Sequence, residues 1–302
     1  MKKNLCLSFS MGETSAFMTN WCLNNLKDEY NMVVVCANTG EEDEKSLEFG
    51  DRCDKHFGYN MVWVEASVDP EFGNGTRAKV VTFETASRNG EPFESVISKY
   101  GIPNQAFPHC TRELKSAPIH SYLKHQLGWD DYYTAIGIRS DETGRINWVT
   151  AKANNLIYPL VTLIRMTKPK INTFWNNQPF RLTIKGYEGN CKTCWKKSNR
   201  KLMTISKEHP EYFDFFRKME TKYGDYKPES RADFSKAITF FRKGQTVNDI
   251  FEDAKFPFRP AIDDRLLTTI QMDIWEEELD SNFGCTESCE PFLDYGLTEN
   301  NE

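Results

Sequence analysis

The stretch NLCLSFSMGETS, residues 4–15, decides the fold. Asn4 to Ser10 is an apolar run with the composition of a buried strand, and Gly12 to Ser15 is a turn of small and hydroxyl-bearing residues. Ala16 to Leu26 then carries Phe17, Trp21 and Leu23 at helical spacing. A helix that starts directly after a strand presents free N–H groups and a partial positive charge, and these cradle phosphate. Serine and threonine hydroxyls at the entry add hydrogen bonds and cap the helix. Ser8, Ser10, Gly12, Glu13, Thr14 and Ser15 are therefore candidate phosphate-binding residues. Glu13 would repel phosphate if it pointed inward, so it is expected to face solvent. The spacing GxxxxGK[ST] of a Walker loop is absent. Taken alone, the loop is also compatible with a capped helix and a glycine turn that binds nothing.

Outward from the loop the alternation continues. Met32 to Ala37 (MVVVCA) is an unbroken β-branched run, the pattern of a strand covered on both faces. Glu42 to Phe57 is helical with Leu47, Phe49 and Phe57 as core contacts, and Met61 to Val64 is a third short strand. This order predicts an α/β fold whose parallel sheet is joined by right-handed crossovers. Val80 to Glu84 and Tyr132 to Ile138 are further strands, and Thr111 to Gln126 is a helix despite Pro118. Beyond Pro159 the alternation fades: residues 166–200 are expected to be irregular, and 207–222 and 262–280 helical. The organisation expected is a nucleotide-binding core over 1–165 and a mixed, largely helical, cysteine-containing extension over 166–302 packed on it.

The 302 residues are 39% hydrophobic and 27% charged, enough to bury a core. A net charge of −6 gives no overall field toward DNA or RNA, so a nucleic-acid partner is compatible but not favoured. The apolar run after Lys2 and Lys3 is too short for a secretory signal, and no stretch reaches the ~20 apolar residues of a membrane helix. The expectation is a cytoplasmic protein with no membrane association. Nine cysteines without an export signal argue against structural disulfides. Cys6, Cys22, Cys36 and Cys53 lie in apolar periodic segments and read as small buried hydrophobes.

The loop resembles the SGGxDS pyrophosphate loop of the N-type ATP pyrophosphatases and of the phosphoadenosine phosphosulfate reductase family. Ser10, Gly12 and Ser15 match; Met11 stands where the family has its first glycine and Thr14 where it has its acid. Asn38, Thr39 and Gly40 resemble the family's LDTG segment, with Asn38 in the acid's place. The segment from Cys110 through Lys115 to Pro118 resembles CCxxRKxxPL, with His109 in place of the first cysteine and Arg112 offset from the family's arginine. Gly137, Arg139 and Arg145 resemble its glycine–arginine segment. The resemblance spans residues 8–145. It implies a doubly wound parallel sheet, adenine nucleotide alpha hydrolase-like, that binds ATP or an adenylyl or phosphoadenylyl sulfate. It also implies that Arg139, Arg145 and Lys115 neutralise the sulfate or phosphate.

Cys191 and Cys194 form a CxxC pair, a spacing that lets two thiolates reach one soft centre from a tight turn. Together with Cys110 and His109, the layout resembles the cluster-binding cysteines of iron–sulfur reductases and tRNA thiolation enzymes. The resemblance implies a 4Fe–4S cluster; zinc on the same residues or recruiting Cys285 and Cys289, or reduced thiols with no metal, are the alternatives. Cys285 and Cys289 lie where the reductases carry an ECGxH nucleophile, a motif this sequence lacks. In a reductase one of them attacks sulfur and an electron donor completes the cycle. In a sulfurtransferase ATP activates an acceptor and a donor protein supplies sulfur. A protein that binds the nucleotide without turnover is a third reading. Lys192, Lys196, Lys197, Arg200 and Lys201 around Trp195 suggest a surface where a nucleic acid stacks a base, against the plainer reading of a solvated helix start. Oligomeric state is not legible.

Overall fold

A computed structural model describes residues 2–71, 73–226, 228 and 238–266. The first strands and helices are β1 (Lys3–Phe9), α1 (Glu13–Asn25), β2 (Tyr30–Asn38), α2 (Glu44–Phe57), β3 (Val62–Ser67), β4 (Arg77–Val81) and α3 (Glu91–Tyr100). Then come α4 (His109–Thr111), α5 (Ala117–Leu127), β5 (Tyr133–Ala135), α6 (Trp148–Ala153) and β6 (Leu156–Ile157). The described elements after β6 are helices: α7 (Pro159–Thr162), α8 (Lys168–Asn176), α9 (Asn199–Glu208), α10 (Asp214–Tyr223) and α11 (Val247–Asp253).

The six strands form one mixed sheet in the order β4-β3-β2-β1-β5-β6. Every pairing is parallel except β3 with β4. The expectation of a parallel sheet therefore holds for five strands and fails at the edge. The reason is the connection: residues 68–76 are too few for a helical crossover, so the chain doubles back. Lys99 holds that turn, donating to the carbonyls of Asp69, Glu71 and Asn74 at 2.7, 2.8 and 2.7 Å.

The strand period of two separates the side chains. Leu5, Leu7 and Phe9 join Met18 and Cys22 of α1 and Leu47 and Cys53 of α2, while Cys6, Val35 and Val64 join Ile119 and Leu123 of α5. Cys6, Cys22, Cys36 and Cys53 are buried as read, and burial pushes the Cys6 and Cys22 thiols up to about 12. A separate core joins Phe93, Val96 and Ile97 of α3 to Leu202, Ile205, Phe213, Phe216, Met219 and Ile250. In this way the described chain from Tyr187 onward contributes to the core on the α3 side.

Three segments differ from the sequence reading. Residues 166–200 contain α8, whose Trp175 is buried among Phe49, Phe57 and Phe180. The helix is short and opens on Lys168 and Pro169, which hides its apolar face from a periodicity test. The helix read over 207–222 breaks at Pro210, which cannot continue the backbone ladder of α9; α10 starts at Asp214. Between α4 and α5 the chain makes a π-turn over Arg112–Ser116, where Ala117 N–H reaches back to the Arg112 carbonyl. The helix read over 262–280 lies outside the described residues, apart from a short 3₁₀ turn at Asp264–Leu266. Among the described residues no helix is long and apolar enough to cross a membrane.

Candidate functional site

Strand β1 sits between β2 and β5; the chain leaves β1 for β2 on one side and leaves β5 for β6 on the other, so the loops after β1 and β5 lie next to each other at the sheet's C-terminal edge. There Met11 takes a left-handed backbone (φ 59°) and Gly12 is the N-cap of α1. The loop is closed by its own hydroxyls. Ser15 Oγ accepts from Ser10 N–H at 3.2 Å and from Ser10 Oγ at 3.0 Å, and donates to the Gly12 carbonyl at 3.0 Å. The β5 loop packs against it so closely that a side chain on Gly137 would put its Cβ 3.1 Å from Ser15 Cα. Arg139, 5% exposed, donates to Thr14 Oγ1 at 3.3 Å and pairs with Asp141 at 3.0 Å. Glu142 takes the Arg139 amide at 2.9 Å and Arg145 at 2.5 Å, so one carboxylate fixes both arginines. Ser8 lies buried in β1 beneath the loop.

Glu13 does not face solvent. It is buried, and Arg181 grips both its oxygens at 2.9 Å. Trp175 Nε1 donates to the Glu13 carbonyl at 2.9 Å, so α8 and the segment after it hold the loop from a third side. Burying a charge costs much less when it is paired and hydrogen-bonded, and Arg181 supplies that pairing. The pocket at the loop is lined by Ser10, Gly12, Ser46, Lys185, Asn190 and Arg265, among others.

The second predicted segment is placed differently. Asn38, Thr39 and Gly40 are buried and engaged within the protein. Asn38 Nδ2 donates to Glu65 at 2.7 Å and to the Ser87 carbonyl at 2.9 Å, and Gly40 sits in a left-handed turn against Gly90. Thr39 Oγ1 donates to Glu42 and lies 3.5 Å from Cys191 Sγ.

Cys191 and Cys194 come together with Cys110, Lys115 and Thr39 around a second cavity walled by Trp195, Phe93 and Phe216. Its floor is tied to the end of β2 by a bridge between Glu42 and Cys191 and by Lys192 N–H on the Glu41 carbonyl at 2.9 Å. Burial and the nearby Glu42 carboxylate raise the Cys191 thiol well above its ordinary range, against the Lys115 ammonium that lowers it. His109 is buried with its Nε2 3.1 Å from the Gly101 carbonyl and is not among the residues lining the cavity. Among the described residues no three or more His, Cys, Asp or Glu side chains are grouped tightly enough to hold a metal ion as placed. Cys285 and Cys289 lie outside the described residues.

The basic run is not a solvated face throughout. Trp195 is buried in the second core, and Lys197 is buried with its ammonium on the carbonyls of Tyr187 and Gly189 at 2.7 and 2.8 Å. Neither side chain is presented for stacking or for a phosphate backbone.

Compared with known proteins, 206 residues of the chain, 67% of its length, align at 32% identity with an uncharacterized nin region protein, ORF290, of Escherichia phage lambda. The alignment covers 69% of that phage protein. The chain belongs to that protein's family. No family model matches the chain.

In this nin-region family member the residues that sequence reasoning missed come from the stretch after α8: Arg181, Lys185, Asn190 and, further on, Arg265. No periodicity marks them. The usable signal was local: Gly186, Gly189 and Asn190 crowd just ahead of the CxxC pair, a turn cluster that forces the chain back toward the sheet.

Proposed function

We propose that the chain is an adenine-nucleotide-binding enzyme of the phosphoadenosine phosphosulfate reductase-like kind, built on a doubly wound sheet and acting in the cytoplasm. Its substrate is a sulfonucleotide, or it uses ATP to drive sulfur transfer. One observation carries the reading: the serine-closed loop at the start of α1 meets Gly137 and Arg139 at the point where strand order reverses. Open α/β sheets bind ligands in that crevice, and free amides at a helix start favour phosphate. Arg139 adds a planar cation held in place by Asp141 and Glu142. Lys115 belongs to the thiol cavity, so it acts on the group being transferred there and not on the loop.

The thiol cavity fits a soft metal or cluster in the chemistry of its donors. Cys110, Cys191 and Cys194 share it, and the raised Cys191 thiol would be stabilised as thiolate by a bound cation. Such a centre would supply sulfur or polarise an anion beside the nucleotide. Calorimetric titration with ATP, adenylyl sulfate and phosphoadenylyl sulfate tests the reading. Binding of at least one, weakened by Arg139→Ala, is expected; heat from none of the three would end it. Iron, sulfide and zinc analysis of anaerobically purified protein then separates cluster from zinc.

A further inference from the structure

We infer that the loop pocket has a second, cationic wall, and that Lys185 and Arg265 bind the pyrophosphate or phosphosulfate end of the nucleotide there. This rests on the nucleotide reading above and adds the residues that hold the group farthest from adenosine. The loop contributes Ser10, Gly12 and Glu13 to the lining; Lys185, Asn190 and Arg265 contribute the rest of its polar side chains apart from Ser46. None of these three belongs to the segments from which nucleotide contacts were read.

The charges suit an incoming anion. Glu13, the carboxylate nearest the loop, is already matched by Arg181. Arg265 is held rigidly: it pairs with Asp263 at 2.6 Å and donates to the Leu182 carbonyl at 3.1 Å. A planar guanidinium fixed in this way is preorganised for a phosphate or sulfate oxygen. Lys185 is the adjustable partner. It pairs with Glu208 at 2.7 Å, but both side chains are about a third exposed, 38% and 34%. A pair this exposed contributes little, so Lys185 can exchange Glu208 for a ligand while water takes over the freed carboxylate. Asn190 is buried at φ 65° and adds an uncharged amide to the wall.

Titration of the full chain with ATP, AMP and inorganic pyrophosphate tests this. Lys185→Ala should weaken ATP and pyrophosphate on the order of tenfold, the loss of one charge-assisted contact, and leave AMP unchanged. Asn190→Asp, nearly isosteric and equally at home in a left-handed turn, should weaken the same two probes by repulsion while the fold, followed by circular dichroism, stays intact. Arg265→Ala should do more, but its contacts to Asp263 and Leu182 make it the less clean variant. If ATP binds and both Lys185→Ala and Asn190→Asp retain wild-type affinity, the second wall is wrong and the nucleotide reading stands. If pyrophosphate binds through Lys185 while every nucleotide fails, the wall stands and the nucleotide reading falls. If the wild-type chain binds neither, both fall.

Discussion

The two cavities lie on either side of one short segment. Gly189 and Asn190 line the loop pocket, and Cys191, Cys194 and Trp195 line the thiol cavity. Their physics differs. On the loop side buried charge is matched: Glu13 with Arg181, Arg139 with Asp141 and Glu142. On the thiol side burial runs ahead of compensation. Cys191 is raised, and Glu41, with Glu42 beside it, is pushed up to about 8. Pairing offsets the desolvation of a buried charge, and without it burial favours the neutral form. One side thus carries buried ion pairs. The other is more apolar and rich in sulfur, with Lys115 in its lining.

The comparison breaks most visibly at Arg181. Arg181→Ala leaves the Glu13 carboxylate buried without its partner, and stability should fall by about 3 kcal/mol. Adding Glu13→Gln removes the stranded charge and should recover most of that loss, as read from urea midpoints. A single variant as stable as wild type, or a double variant no better than the single, would show that the loop side does not depend on charge matching.

This pair also marks where the sequence stops being readable. The strands and helices from Asn4 to Phe57 follow from unbroken apolar runs and helical spacing, because each element buries a patterned face. The serine loop and the Gly137–Arg139 segment were legible as separate stretches in chain order; their approach to each other was not, because it depends on β5 pairing with β1. The inward turn of Glu13 was not, because its direction is set by Arg181, 168 residues away in sequence and in a stretch with no pattern. The same holds for Asn38: it sits at the strand end where it was read, but its amide is spent on Glu65 and Ser87, which arrive from β3 and the turn before α3. Local composition locates a residue along the chain; the partner that takes up its hydrogen bonds comes from tertiary packing. The strand read at Val80 to Glu84 lies three residues earlier, at Arg77–Val81, and its antiparallel direction was not read for a related reason, since direction depends on the length of a connection and not on the strand's own residues.

On the thiol side Glu41 offers a second, smaller test. Burial is the main cause of its raised pKa; Lys192 opposes it, and Glu42 and Glu91 add to it. The folded protein therefore keeps a proton that the unfolded chain releases above its ordinary 4.5, up to about pH 8. The native state binds more protons across this window, so stability should fall as pH rises through it. Glu41→Gln should flatten that part of the curve and stabilise the protein most near its alkaline end. Urea unfolding of both proteins across the window measures the difference. Parallel curves would mean that Glu41 is ionised throughout and that the thiol side is compensated after all.

The smallest expected effect on stability falls at the joint between the two crossovers. Gly137 has no side chain, and a methyl there would meet Ser15 at 3.1 Å from Cα and 3.3 Å from N. Both atoms belong to the first turn of α1, which cannot yield without moving the loop. Gly137→Ala should therefore cost only about 1 kcal/mol, the lower end of what overpacking costs in a core. Its effect on binding should be out of proportion to that cost. Pushing α1 from β5 separates Thr14 from Arg139 and opens the hydroxyl contacts between Ser10 and Ser15 that shape the loop. Circular dichroism and thermal melting should report a near-native fold, while pyrophosphate and ATP titrations report a clear loss of affinity. Lost stability with unchanged affinity would mean that the close approach of the two loops serves packing alone. The anion-binding role would then have to rest on the far wall of the pocket.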